Sequence, residues 1–393
     1  MDPDDTVAFA EKVLALLQQG SFTATYKYAV LIGLIDLSLE GYTAAGLPPE
    51  SVTTPQLAEV VVRLYWPQVA PFDAVEGGVL RQNTRGQAEI VRLVAQARAR
   101  LGGGGGAPIE RARRQSPDEY QRLLREVEWK LVEMPLPRLQ EFRNGPDRFI
   151  YEIAWNLDLA RGEFNDATRF PNAIRFRPGV AAHLIRLDGL LRPLLYRAWA
   201  MQVAAINRLP ETRLEAHLFG VDRSALRPVL PALSELQQGR CFYCDGRLRS
   251  PEVDHFLPWA RVSLSAIENL VVADGACNGQ KTDHLAAPEH VRRWRERLEA
   301  QDNLREIADR ASWETSPART LGVARALYLP LTAGARLWSR ADGLGPPTRH
   351  SFARCSQPEP TRFGIKKRPA RPRQLAGTVR DGGAFCGRKR VGV

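Results

Sequence analysis

The chain reads CFYC at 241–244, EVDHFLP at 252–258 and ENLVVADGACNGQK at 268–281. Residues 252–257 and 269–273 are short apolar-rich runs, and the first ends at Pro258, which cannot donate to a strand ladder. These runs predict two strands joined by a loop of about ten residues. Residues 277–285 then predict a short helix. The stretch therefore predicts a small strand–strand–helix unit.

The cysteines of this stretch indicate a structural metal site. Cys241 and Cys244 form a Cys-x-x-Cys pair, and Asp274 and Cys277 form a second pair at the same spacing. Two such pairs on tight turns can supply the four ligands of a tetrahedral zinc ion. A carboxylate is a less common zinc ligand than a thiolate, so His284 stays open as an alternative fourth ligand. A redox role for the cysteine pair would need a thioredoxin-like βαβ unit, which the flanking sequence does not predict.

A second group of residues in the stretch indicates hydrolytic chemistry. Asp254 and His255 end the first predicted strand, and Asn278 lies near the start of the predicted helix. An aspartate can hold a hard cation through oxygen, and an amide oxygen can assist it. A histidine can take a proton from water near neutral pH. An isolated Asp-His pair is more often structural, so the prediction depends on the ordered set.

In order and spacing, the set resembles the motif of the HNH endonucleases, which are ββα-metal nucleases. The matching elements are Cys-x-x-Cys, Asp-His-x-x-Pro, Asn-Leu-Val and Cys-Asn-x-x-Lys, and they span residues 239–285, about an eighth of the chain. The resemblance implies a small ββα-metal nuclease domain with a zinc knuckle. Together with the helical patterns on either side, it predicts an α+β fold: largely helical N-terminal regions, then this domain and C-terminal helices.

The resemblance also implies a role for each matching residue. His255 would be the general base that activates water, and Asn269 would brace the loop and orient His255. Asp254 and Asn278 would hold one catalytic Mg²⁺ (or Mn²⁺). Lys281 would neutralise phosphate charge. These roles describe hydrolysis of a phosphodiester by one metal ion and a histidine base.

The zinc ligands follow the family pattern with one departure. Cys241, Cys244 and Cys277 match the family's ligands for structural Zn²⁺, and Asp274 stands where a cysteine is usual. Asp274 has a second interpretation, because an aspartate directly before a helix is a typical N-cap. Asn278 stands where many members carry histidine, although asparagine also occurs there.

The rest of the chain divides by composition and periodicity. A run of five glycines at 102–106 is too costly in backbone entropy to lie inside a helix or strand. The predicted regions are a helical N-terminal domain at 1–101, a glycine-rich linker at 102–107, a mixed and mostly helical region at 108–235, a nuclease domain with a trailing helix at 236–312, a C-terminal packing segment at 313–340 and a disordered basic tail at 341–393.

Three local patterns give sharper structural predictions. Residues 55–66 predict a helix with Thr54 as its N-cap and Pro55 in the first helical position. Residues 174–177 alternate like an edge strand, and residues 289–311 read as one charged amphipathic helix.

Composition limits the class of protein. The chain has 393 residues, of which 44% are hydrophobic and 25% charged, so it has enough apolar surface for a core. The net charge is +11, but residues 341–393 carry 12 basic and 3 acidic residues and supply most of it. The N-terminus is acidic where a signal peptide is basic, and there is no long apolar run. A cytoplasmic protein without membrane contact is expected.

These observations lead to an expected function. The chain is expected to be a metal-dependent endonuclease that binds and cuts DNA, and analogy suggests restriction or anti-phage defence. A protein partner or a homodimer is possible, since one site cuts one strand. The alternatives are a zinc-stapled nucleic-acid-binding module, an interaction subunit of a defence complex with a latent nuclease, and a nuclease that acts on RNA.

Overall fold

The computed structural model describes residues 3–19, 23–72, 78–101, 108–142, 144–211, 214–220, 223–299, 301–332 and 334–345. The glycine-rich linker at 102–107 and the tail beyond 345 lie outside these residues. The described fold is α+β, as predicted, with long helices and small sheets. None of the helices in these ranges is both long and apolar enough to span a bilayer.

The first half of the fold is mostly helical. The helices are α1 Pro3–Gln19, α2 Tyr26–Glu40, α3 Thr54–Gln68, α4 Glu89–Leu101, α5 Ile109–Gln115, α6 Pro117–Glu133, α7 Pro135–Arg138, α8 Arg161–Asn165, α9 Val180–Asn207 and α10 Leu214–Phe219. The strands are β1 Ser51–Thr53, β2 Glu141–Phe142, β3 Gly145–Pro146, β4 Tyr151–Glu152 and β5 Ala173–Phe176.

Helix α2 is the centre of this helical region. Every residue from Tyr28 to Leu39 is buried, which is the pattern of a helix covered on all sides. Helices α3, α9 and the later α15 (Pro317–Tyr328) pack around it. Gly33 allows the closest approach, because a Cβ there would lie 2.6 Å from the Leu57 side chain of α3.

Two local predictions for this half need correction. The N-cap of α3 is Thr53 rather than Thr54: the Thr53 hydroxyl accepts from the Gln56 amide, and the Gln56 side chain accepts from the Thr53 amide. Strand β5 is also not an edge strand, because β1 and β4 flank it in a three-stranded antiparallel sheet. Local alternation cannot reveal a partner that lies more than 100 residues away along the chain.

The second half carries the predicted strand–strand–helix unit. Its helices are α11 Leu230–Leu236, α12 Gly275–Lys281, α13 Pro288–Glu299, α14 Gln301–Ala311 and α15, with 3₁₀ turns at Arg223–Val229 and Ile267–Asn269. Its strands are β6 Pro251–His255, β7 Leu270–Asp274, β8 Leu337–Ser339 and β9 Gly343–Gly345. The helix predicted at 289–311 is recorded as two helices, α13 and α14.

The two halves belong to one compact unit, so the boundary predicted at 235 falls inside it. A series of charged side chains, most of them buried, connects the two halves; we call it the buried chain of charges. Arg192 of α9 lies 2.7 Å from Asp36 of α2 and 2.8 Å from Asp188. Asp188 in turn lies 3.9 Å from Arg261, in the loop after β6. Gly189 makes room for this loop, since a Cβ there would meet the Arg261 guanidinium at 2.4 Å.

Candidate active site and metal centre

The site is built on an antiparallel strand pair followed directly by a helix. In the register of β6 and β7, Asp254 lies opposite Val271 and His255 opposite Leu270. Strand β7 runs into α12 without a loop, and Asp274 caps that helix by accepting from the Ala276 amide. The last two residues of β6 are therefore held by a buried neighbouring strand and a helix.

One face of β6 points its carboxylates at α12. Glu252 and Asp254 share this face because they are two residues apart in a strand. On the helix, Asn278 and Lys281 are three residues apart and share a face. The Asn278 amide nitrogen donates to Glu252 Oε2 at 2.6 Å, and Lys281 Nζ lies 3.1 Å from Asp254 Oδ2. The strand and the helix thus present matched pairs of polar side chains.

Asp254 is buried and its carboxylate has two partners. The Tyr243 hydroxyl donates to Asp254 Oδ2 at 2.5 Å, beside the ion pair with Lys281. Burial raises the pKa of Asp254, and the Lys281 ammonium opposes that rise. Lys281 itself is fully buried and also donates to the His255 carbonyl at 2.9 Å. Its amine is therefore turned towards the strand rather than towards solvent, where the predicted phosphate contact would be made.

His255 lies on the opposite side of the strand from Asp254. Its Nε2 is 3.0 Å from the Ser265 hydroxyl, and its ring centroid is 5.1 Å from that of Trp259. The residue is 6% exposed. Burial, aided by the nearby Lys281 ammonium, lowers the pKa of His255 to about 3. The imidazole is thus neutral at physiological pH and can in principle accept a proton, but a pKa this low makes it a weak base in the buried arrangement.

Asn269 holds the loop that follows His255. Its Oδ1 accepts from the Leu257 amide at 2.7 Å, and its Nδ2 donates to the carbonyls of Leu257 at 3.0 Å and Leu264 at 2.9 Å. The side chain is fully buried. Three hydrogen bonds from one side chain fix both ends of the segment 257–264, from which Trp259 contacts His255.

Three cysteine sulfurs converge beside the strand pair. The Sγ atoms of Cys241, Cys244 and Cys277 all lie within 4.8 Å of one another, with Cys241 and Cys277 buried. Burial, with the neighbouring Cys241 sulfur, raises the pKa of the Cys277 thiol to about 12. A cation bound by the three sulfurs would lower the pKa of Cys277, because a coordinated thiol is deprotonated. The donor set fits a soft cation such as zinc with three ligands.

Asp274 is not a member of this cluster. Its Oδ2 accepts from the amides of Arg249 at 2.8 Å and Ser250 at 3.1 Å, while its Oδ1 accepts from Ala276. These bonds lower the pKa of Asp274. The contacts are those of a helix cap, which is the alternative role weighed for this residue. His284, the other candidate, is exposed and also outside the cluster.

The oxygen donors near Asp254 fit a hard cation in their chemical type. Two carboxylates and an amide, from Glu252, Asp254 and Asn278, are ligands that Mg²⁺ accepts. In the observed arrangement the positive charge beside Asp254 comes from Lys281, and Asn278 turns its amide nitrogen to Glu252. A divalent ion could therefore bind Asp254 only if the ion pair between Asp254 and Lys281 were broken.

Three residues of the site were missed in the sequence. Glu252 carried a usable signal, since it is two positions before Asp254 in a predicted strand and so shares its face. Tyr243 lies between the two cysteines of the first pair, and nothing in its position indicates contact with Asp254. Ser265 reaches His255 from a loop whose course is set by Asn269, so no local pattern identifies it.

Comparison of the chain with family models, with curated proteins and with solved structures gives no match.

Proposed function

We propose that the chain is a metal-dependent endonuclease of the HNH type that hydrolyses DNA. The observation that carries the proposal is the ββα unit at 251–281, in which the buried His255 and the carboxylates of Glu252 and Asp254 lie on the two sides of one strand end. The close cluster of three cysteine sulfurs beside it supports the same proposal, because the HNH motif pairs this unit with a zinc knuckle.

His255 is the proton acceptor in this proposal. A neutral imidazole can take a proton from an attacking water, and the hydrogen bond to Ser265 and the contact with Trp259 fix the ring orientation. Asn269 acts as a positioning residue, because it holds the loop that carries both of these contacts. The His255 ring is thus oriented by Ser265 and Trp259, and Asn269 holds the backbone near both of them.

Asp254, Asn278 and Glu252 are the residues that would hold Mg²⁺. A bound divalent ion stabilises negative charge on the phosphate and on the leaving oxygen. Glu252 lies on the same strand face as Asp254 and contacts Asn278, so a second carboxylate is available to the ion. The ion pair with Lys281 counteracts the effect of burial on Asp254, and a bound ion would take the place of that ammonium.

A latent form of the same nuclease is the second candidate, and the closed geometry favours it. His255 is 6% exposed and Asp254 8% exposed, so neither faces an open groove. A phosphodiester could reach both residues only if the packing around His255 and around Asp254 opened. In this version the helical region keeps the site closed until DNA or a protein partner binds.

Metal-dependent cleavage tests the proposal. Purified protein is incubated with supercoiled plasmid, and in parallel with RNA, over a Mg²⁺ titration. Wild type should nick the plasmid only with Mg²⁺, and Asp254→Asn should be slower by about a hundredfold or more. Asp283→Asn, at an exposed position of the same unit, is the matched control and should cut like wild type. Metal-independent cleavage, or equal activity of both variants, would refute the assigned metal face.

A further inference from the structure

A cavity of about 220 Å³ lies between the helical region and the candidate active site. Its walls come from α2, α3, α5 and α10 on one side and from the loop 259–265 and residues 313–314 on the other. The volume is below the roughly 300–1,000 Å³ of clefts that hold drug-sized ligands. The space therefore suits one small planar ring system.

Large aromatic side chains line much of this cavity. Trp66, Trp259, Trp313 and Phe219 all contribute to the wall. The indole nitrogens of Trp259 and Trp313 donate to the carbonyls of Phe219 and Ser265, which fixes both rings. Fixed aromatic walls favour stacking with a flat ring such as a nucleobase.

One carboxylate in the wall has no partner. Glu110, at the start of α5, is half-buried; among the described residues it has no hydrogen bond or close ion pair, and only the more distant charges of Arg113 and Arg319 oppose the rise of its pKa. The other charged groups of the wall are paired: Asp36 with Arg192 at 2.7 Å, and Arg63 with Glu40 at 2.8 Å. Burial, together with repulsion from Glu314, raises the pKa of Glu110 to about 7. The cavity thus offers one unused hydrogen-bond acceptor beside apolar walls.

The cavity borders the candidate base directly. Ser265 lines the cavity and hydrogen-bonds His255 at 3.0 Å. Trp259 lines it as well, and its ring lies 5.1 Å from that of His255. A ligand in the cavity would therefore contact Ser265 and Trp259, the two residues that orient His255.

We propose that this cavity binds a single nucleobase that carries an amino group, either flipped out of DNA or belonging to a free nucleotide. The aromatic walls stack the ring, and Glu110 accepts a hydrogen bond from the exocyclic amine. The choice of a nucleobase rests on the proposed function, because a nuclease meets bases as substrate. The binding itself needs no cleavage, so the two proposals can fail separately.

The unpartnered acceptor sets the expected selectivity. Adenine, cytosine and guanine each have an amino group (N6, N4 and N2) that donates hydrogen bonds, whereas uracil and thymine have none and donate only through a ring N–H. Above its pKa of about 7 Glu110 is ionised, and a carboxylate then accepts and does not donate, so the binding test is run at pH 8. Amino-bearing bases should therefore bind more tightly than uracil or thymine.

Tryptophan fluorescence with free nucleotides is the first arm of the test, carried out on the full chain without Mg²⁺ so that cleavage plays no part. AMP, CMP and GMP should quench the emission with higher affinity than UMP. Glu110→Gln should weaken their binding roughly tenfold to a hundredfold. The control Glu296→Gln, at an exposed glutamate of α13, should bind like wild type.

A DNA duplex with one 2-aminopurine is the second arm, since its fluorescence rises when the base leaves the stack. A rise that Glu110→Gln and the cavity-filling Ile109→Trp both suppress, without binding of free nucleotides, would assign the ligand to DNA. Binding of mononucleotides would assign it to a free nucleotide. If neither arm gives a signal that depends on Glu110, the nucleobase site is refuted, whatever the plasmid assay shows.

Discussion

Asn269 shows how much a single side chain contributes to the candidate site. Its three hydrogen bonds satisfy backbone groups of Leu257 and Leu264 inside the protein. We predict that Asn269→Ala lowers the free energy of unfolding by roughly 2–4 kcal/mol, because buried amide and carbonyl groups lose their partners. Urea unfolding followed by circular dichroism measures the change.

The control for this prediction is Asn303→Ala, at an exposed asparagine of α14. It should leave the free energy of unfolding within about 0.5 kcal/mol of wild type. An equally small effect of Asn269→Ala would mean that the loop 257–264 is held by other contacts.

Glu110 gives a prediction for the dependence of stability on pH. Its pKa is raised to about 7 in the folded chain, mainly by burial, so the folded protein binds a proton that the unfolded chain has released. Stability from this group is complete below the unfolded pKa of about 4.5 and is lost as pH rises through 7. Between pH 5 and pH 8 the loss should approach about 3 kcal/mol.

Glu110→Gln, which does not titrate, isolates this contribution. Relative to wild type, the variant should be more stable at pH 8 and nearly equal at pH 5, as measured by urea unfolding at both values. If the difference in the free energy of unfolding between the two proteins is the same at pH 5 and pH 8, the pKa of Glu110 is not raised in the folded chain.

Single residues also mark the limit of sequence analysis. The set Asp254, His255 and Asn278 could be singled out because its spacing follows a motif. The contact of Lys281 with Asp254 could not, since a lysine on a helix can turn to either side and only packing against β6 decides it. The partners Tyr243 and Ser265 depend on the same packing.

Among the secondary-structure elements, the capped helix α12 connects the strand pair to the cysteine cluster. Asp274 ends β7 and caps α12 through the Ala276 amide, while it also accepts from Arg249 and Ser250. We predict that Asp274→Ala destabilises the protein by about 1–2 kcal/mol without loss of metal, because the cluster excludes this carboxylate. Zinc content by mass spectrometry and urea unfolding test the two parts.

Cys277→Ser is the reference for metal loss in the same measurement. Wild type and Asp274→Ala should each retain about one zinc ion per chain, whereas Cys277→Ser should lose it. If Asp274→Ala loses zinc as completely as Cys277→Ser, Asp274 is the fourth ligand and the capping role is secondary.

The elements themselves were predicted with uneven success, for identifiable reasons. Helix α2 and the strands β6 and β7 carry strong apolar patterns and could be predicted. Helix α9 runs from Val180 to Asn207 through Pro193, although a proline inside a helix removes a backbone hydrogen bond, because tertiary packing outweighs this local cost. The central place of β5 depends on strands brought together by the whole fold.

For the whole molecule, the buried chain of charges joins the helical region to the loop after His255. Arg192 pairs with both Asp36 and Asp188, and all three are nearly inaccessible. We predict that Arg192→Met lowers the free energy of unfolding by about 3–5 kcal/mol, because it removes the closest counter-charge of two buried carboxylates and leaves Asp188 only Arg261 at 3.9 Å. Urea unfolding measures the loss.

Arg186→Met, at an exposed arginine on the same helix, is the matched control and should change stability by no more than about 0.5 kcal/mol. A similarly small effect of Arg192→Met would mean that the junction relaxes or admits water when the arginine is removed.

The compact joining of the two halves could not be predicted from the chain alone. Composition places a break at the glycine run and a change of character near 235, but these patterns do not say which surfaces meet. The aspartates at 36 and 188 look like ordinary helix residues in the sequence. Only the fold shows that they meet Arg192 and lie beside the loop of the candidate site.

The most direct test of the central claim is plasmid cleavage by wild type, His255→Ala and His284→Ala in Mg²⁺. His284 is an exposed histidine of the same unit and controls for removal of an imidazole that has no assigned role. The account predicts that wild type and His284→Ala nick supercoiled DNA, and that His255→Ala loses about two to four orders of magnitude in rate. Equal cleavage by His255→Ala and wild type would contradict it.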